Sequence, residues 1–106
     1  MIDLEAFRHA ALSFPGATEA PHFDKPSYRF RGKIFATCHA REHRAVLKLP
    51  VVAQSVFCAA PASPFCPVPG SWGAQGYTFV DLATVPAPMF RDALEQAYRH
   101  VAGTGR

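Results

Sequence analysis

An α+β fold in one compact domain, with the order α-β-β-β-α-β(-β)-α and an antiparallel sheet flanked by helices, is what three observations in this sequence predict. The chain has 106 residues, room for a single domain spanning 1–106. An aromatic stretch from Ser27 to His39, alternating in its first half and carrying Gly32 near its centre, reads as a β-hairpin. Apolar residues at helical spacing bracket that hairpin near both ends of the chain. With 49% hydrophobic residues, including nine Phe, one Trp and three Tyr, the chain can fill a core without metals or disulfides.

Asp3 is the expected N-cap of the first helix, in which Leu4, Phe7, Ala11 and Leu12 recur at helical spacing until Pro15-Gly16. The stretch from Ala17 to Lys25, broken by Pro21 and followed by Pro26, reads as a connection into the sheet. In the hairpin, a type II′ turn at Gly32-Lys33 would pair Phe30 with Phe35 and Tyr28 with Thr37 on the core face. Arg29 and Arg31 would then share the opposite face with Ile34 and Ala36. A third strand, Arg44 to Leu49, adds Arg44 and Lys48 to that cationic face and turns Leu47 and Leu49 inward. A one-residue slip would reverse the assignment. Pro50 can open a short helix through Phe57, because proline is tolerated in a first helical turn. The segment from Pro61 to Gly76, with Pro64, Pro67 and Pro69, is a shaped loop with room for a short strand. Tyr77 to Leu82 reads as a strand. Pro86 to Ala102 reads as a closing helix with Phe90, Leu94, Ala97, Tyr98 and Val101 on one stripe, ended by Gly103.

The formal charge is only +3, but it is unevenly placed. Lys25, Arg29, Arg31, Lys33, Arg41, Arg44 and Lys48 face Glu42 alone within positions 25 to 48, a net of +6 that leaves −3 for the rest. Such asymmetry points to an anionic partner for one surface. The three cysteines, Cys38, Cys58 and Cys66, are odd in number and lack CxxC spacing, which argues against a disulfide framework and a structural zinc site. Acids at the start and the lack of a long apolar run argue against a signal sequence and a membrane span, so a cytoplasmic location is expected.

Cations on a pleated face with aromatics nearby suit a phosphate backbone, although a solvated sheet face would use the same residues. His39 and His43 are four apart, a zinc-binding spacing on a helix face, but they fall in a strand-to-strand turn beside Arg41 and Arg44, so no metal site is expected. Gly70, Gly73 and Gly76 around Trp72 fit no phosphate-loop pattern. Their expected role is to permit tight turns that let Trp72 fold over the core, with a ligand-contacting Trp72 as the alternative. His22 with Asp24, or Asp81 with His100, could be assembled into a catalytic pair on paper, but no spacing selects either, and no enzyme activity and no cofactor are expected.

Four segments carry a resemblance: Lys25-Pro26-Ser27-Tyr28-Arg29-Phe30, Gly32-Lys33-Ile34-Phe35-Ala36, Val46-Leu47-Lys48-Leu49-Pro50, and Pro69-Gly70-Ser71-Trp72-Gly73-Ala74-Gln75-Gly76-Tyr77. Together with Leu12-Ser13-Phe14-Pro15-Gly16-Ala17-Thr18-Glu19, they resemble the bacterial MmcQ/YjbR family from the first helix to the last. The resemblance implies a helix, three-strand, helix, two-strand, helix fold, similar in outline to frataxin-like and secretion-chaperone-like domains. It also implies DNA binding through a "double wing" arrangement. Related branches carry a Lys and a His just before the tryptophan, whereas Gly70 and Ser71 stand here, so two phosphate contacts are missing.

The expected function is weak, largely sequence-independent binding of DNA or another polyanion. Arg29, Arg31, Lys33, Arg44 and Lys48 would hold phosphates, and Trp72 would be a stacking group. The alternative is a chaperone-like adaptor that recruits an acidic protein, which an exposed apolar patch beside the cations would favour. A third reading is a small-molecule pocket lined by Trp72, Tyr77 and His22, which a buried concave site there would favour.

Overall fold

A computed structural model describes residues 1–103. In chain order the elements are α1 (Leu4–Leu12), β1 (Ala17–His22), β2 (Lys25–Phe30), β3 (Lys33–His39), a 3-10 turn (Ala40–Glu42), β4 (Arg44–Lys48), α2 (Val51–Phe57), β5 (Phe65–Pro67), α3 (Ser71–Ala74), β6 (Tyr77–Asp81) and α4 (Ala87–Val101). The strands form one sheet in the order β1-β2-β3-β4-β6-β5, and every neighbouring pair is antiparallel. The α+β class and the antiparallel sheet flanked by helices are as expected. No helix among the described residues is long and apolar enough to cross a membrane.

Asp3 caps α1 as expected, its Oδ1 accepting from the Ala6 N–H at 2.9 Å. Phe7 and Ala11 are buried beneath that helix, while Leu12 is partly exposed at its last turn. The longer α4 buries Phe90, Ala93, Leu94 and Ala97. Both helices pack on the face of the sheet that carries Tyr28, Phe35, Ala36, Cys38, Ala45, Leu47 and Val80. At the β5 margin of that face, α2 sets Phe57 against Phe65 with ring centroids 4.9 Å apart. The other face of the sheet has no helix over its middle strands, and it becomes the site.

Two expectations about the sheet need correction. Ala17 to His22 is a strand and not a connection. It is an edge strand, where Pro21 forfeits no ladder bond to a second neighbour, and it pairs with Pro26 beyond the reach of β3. In the β2-β3 hairpin the loop is Arg31-Gly32, both at positive φ (51° and 82°), so Phe30 pairs with Lys33 and Arg29 with Ile34. Phe35 is then an extra residue in a bulge, and Tyr28 pairs with Ala36 and Ser27 with Thr37. Tyr28 still faces the core and Arg29 still faces away. Ala36 joins the core, however, and Thr37 sits on the helix-free face. The proline-rich segment contains β5 and α3, giving six strands where four or five were read.

The cysteines are free. Burial pushes the Cys38 thiol up to about 11, and burial also raises Cys58, with Cys66 adding to the effect. A thiol reagent at pH 8 is therefore expected to label exposed Cys66 first, Cys58 more slowly, and Cys38 only on unfolding, which mass spectrometry of timed aliquots will resolve.

Candidate nucleic-acid interface on the open sheet face

Strand alternation decides what the helix-free face presents. One row across the sheet runs Ser27, Thr37, Val46, Phe79. The rows on either side add Arg29 and Ile34, Lys48 and Tyr77, and His39 and Arg44. The result is a shallow groove of about 500 Å³ with a mainly apolar floor of Ile34, Thr37, Val46 and Phe79. At one corner it is bounded by the β1-β2 hairpin tip, with His22, Phe23 and Lys25. At the other it is bounded by Val68, Trp72 and Tyr77.

Arg44, Lys48 and Arg29 on this face each rest on neutral groups. The Arg44 guanidinium carbon lies 4.0 Å from the Phe79 ring centroid. The Lys48 ammonium lies 4.9 Å from the Tyr77 ring and donates to the Gln75 carbonyl at 2.6 Å. Arg29 donates to the Ser27 hydroxyl and to the Pro21 carbonyl, both at 3.1 Å. Stacking on a ring leaves the N–H fork of a guanidinium free in its own plane, and an ammonium has two further donors, so all three keep donors for an anion. The other paired cations differ, Lys25 at the groove's own hairpin corner among them. Arg8 bridges Glu19 and Glu5, Lys25 meets Asp24, and Arg99 meets Glu95. Asp81, opposite Arg44 in the ladder, turns its carboxylate to the Ala83 N–H instead, at 2.9 Å. His39, half-buried beside these groups, has its pKa lowered by burial and then by Lys25 and Arg44, so this residue adds no imidazolium at neutral pH.

Of the residues expected to bind, Arg29, Arg44, Lys48 and Trp72 are brought together here. Arg31 and Lys33 are not. Arg31 is in the hairpin loop, 5.6 Å above Phe30, and Lys33 pairs with Phe30, whose ring turns toward Tyr98 on the helix side. The turn sits one residue earlier than Gly32-Lys33, and that shift removes both from the face. Trp72 does not fold over the core: it is 58% exposed and stands edge-on to Tyr77 at 5.2 Å and 80°.

What places Trp72 is a backbone crossing behind it. Gly73 is buried, and a Cβ there would meet the Val68 carbonyl oxygen. The side chain of Gln54, on α2, donates to the Gly73 carbonyl at 2.9 Å, the Thr78 hydroxyl at 3.1 Å and the Tyr77 carbonyl at 3.2 Å. The four-residue α3 is thereby tied to the sheet with its indole outward. Trp72, Tyr77 and His22 do line one groove, but it is shallow and open to solvent and not the buried concave site that the small-molecule reading asked for. Phe79 was missed, although its spacing of two from Tyr77 in an alternating strand puts both on one face. Phe23 left only a weak signal, an aromatic between two polar residues in a proline-broken stretch.

A family model for YjbR matches residues 12–100. The chain belongs to the YjbR family. Its fold is also that of a Deinococcus radiodurans protein, DR2400, with a DUF419 domain, whose crystal structure superposes with a TM-score of 0.84 at 19% identity, over 100% of this chain and 83% of that one. No match to a curated protein was found. The YjbR model spans every element of the open face, from β1 to β6, so the groove lies within the family domain.

Proposed function

We propose that this YjbR domain is a non-enzymatic DNA-binding module that holds the phosphate backbone on its open sheet face through Arg29, Arg44 and Lys48. The observation that carries the reading is the company these cations keep: half-buried aromatic rings and neutral acceptors, with no carboxylate paired to any of them among the described residues. A merely solvated face would gain from interspersed acids, whereas a phosphate site is weakened by them. Three phosphate contacts give a slope of log K against log salt of about −3, so affinity falls roughly 40-fold between 50 and 200 mM salt. Binding of this kind is weak and indifferent to base sequence.

The test is a fluorescence-anisotropy titration of labelled DNA at several salt concentrations. Arg44→Ala is expected to weaken binding to all sequences alike and to make the slope shallower by about 1. Undetectable binding at 50 mM salt, or an unchanged slope in the variant, removes the reading. Exposed Trp72 beside Lys48 also favours a second reading, an adaptor for an acidic protein. A polyglutamate chain that displaces DNA at equal charge concentration would support that reading instead.

A further inference from the structure

We infer that the groove takes unpaired bases, so that the ligand of the open face is single-stranded DNA and not the duplex; this rests on the DNA-binding reading above. Three observations point there. Phe23, at the tip of the β1-β2 hairpin, is 90% exposed and sits at a φ of 60° in a two-residue loop between His22 and Lys25. A large apolar side chain gains nothing from such exposure, and an aromatic residue at positive φ is strained where glycine or asparagine would not be. Strain kept at the lip of a groove is the pattern of a ligand contact.

At the far corner Trp72 is a second exposed aromatic, more than half in solvent, its ring 5.2 Å from Tyr77 at an interplanar angle of 80°. Phe23 and Trp72 thus flank a mainly apolar floor of Ile34, Thr37, Val46 and Phe79, with Arg44 covering part of the Phe79 ring. The cations stand around this floor: Arg44 over Phe79, Lys48 over Tyr77, and Arg29 along β2.

The distribution separates the two forms of DNA. A duplex keeps its bases stacked inside and presents phosphates and sugars, which would meet the rim and leave the aromatic floor unused. A single strand has bases free to lie on Phe23, Trp72 and the floor while its phosphates reach the rim cations, a combination of stacking platform and charged margin. The apolar floor further favours thymine, whose C5-methyl adds area that uracil lacks, and so favours DNA over RNA.

Trp72 is the only tryptophan, so its emission reports on this groove alone. Titrations at 50 mM salt with oligo(dT), oligo(rU), a mixed-sequence duplex of equal charge, and polyglutamate make the test. Oligo(dT) is expected to quench Trp72 and to bind at least tenfold more tightly than the duplex, with oligo(rU) between them. Phe23→Gly is expected to raise Tm by about 2–5 °C by relieving the positive φ. It should at the same time weaken oligo(dT) binding about 5- to 100-fold, the range for one lost aromatic–base stack, with Phe23→Tyr restoring it. A purely structural Phe23 would move stability and leave affinity alone.

Duplex bound as tightly as oligo(dT), unquenched Trp72 at saturation, or Phe23→Gly with unaltered affinity would overturn the single-strand inference and leave the DNA-binding reading standing. Equal binding of oligo(rU) would overturn the assignment to DNA. Binding to none of the nucleic acids, or to polyglutamate in preference, would overturn both readings.

Discussion

Gly76→Ala is expected to cost about 3–5 kcal/mol, enough to leave the domain mostly unfolded near 37 °C if its stability is at the low end of the usual range. Gly76 has a φ of 106°, a region alanine enters only with strain. A Cβ built there would also lie 2.0 Å from the Leu49 carbonyl oxygen. That oxygen belongs to backbone, so it cannot swing aside. The Leu49 N–H donates to the Gly76 carbonyl at 3.0 Å, and parting the two segments to fit a methyl would break this bond between the end of β4 and the start of β6. Gly70→Ala is the control. Its φ of 82° is also positive, but nothing lies within 4 Å of the added Cβ, so only the backbone term of about 1–2 kcal/mol applies. Urea denaturation of the two variants measures the difference directly. Equal losses would mean that close approach plays no part at Gly76.

Gln54→Leu is expected to cost about 1–3 kcal/mol although it preserves size and helix propensity. The Gln54 side chain, in a residue only 7% exposed, supplies donors to the Gly73 carbonyl, the Thr78 hydroxyl and the Tyr77 carbonyl. Leucine removes that donor in a region closed to water; the Gly73 and Tyr77 carbonyls keep the Gly76 and Val68 N–H groups, and the Thr78 hydroxyl keeps its bond to the Gly76 carbonyl, so the loss is of second bonds and not of all pairing. Because the Gly73 carbonyl adjoins Trp72, the same change should loosen the indole. Trp72 emission should shift red in the folded variant, and oligonucleotide affinity should fall more than with a core change of equal cost such as Leu94→Ala. Matching losses of affinity in the two variants would show that Gln54 acts on stability alone. Gln54→Glu should be worse than Gln54→Leu at neutral pH, since a carboxylate would face three oxygens.

Patterns with short range were legible. The spacing of Phe7 and Ala11 in α1, and of Phe90, Leu94 and Ala97 in α4, needs only helical periodicity to place a core face. Alternation likewise put Leu47 and Leu49 inward and Arg44 and Lys48 outward. Misreadings arose where a local choice had two near-equal answers. Gly32 suits a two-residue loop in either of two registers, and a glycine preceded by Arg31 at φ 51° is no more visible in sequence than one followed by lysine. The bulge at Phe35 then put Ala36 into the core beside it and turned Thr37 to the open face, which no pattern of period two could show. Pro21 hid β1, because proline argues against a strand until the strand is known to be an edge.

For the site, the sequence by itself determined its chemistry: a basic segment between positions 25 and 48, aromatic residues in alternation, and a glycine-bounded tryptophan. These follow from composition and period, which act over a few residues. Only the tertiary structure decided which of those groups meet. It placed Tyr77 and Phe79 beside Lys48 and Arg44 by pairing β6 with β4, segments some 30 residues apart, and sent Arg31 and Lys33 elsewhere by one step of register. It carried Trp72 out of the core through the Gln54 bonds, and it exposed Phe23 at the tip of a strand that proline had concealed. Contacts between distant segments are selected by the packing of the whole core, and a short sequence window does not contain that information.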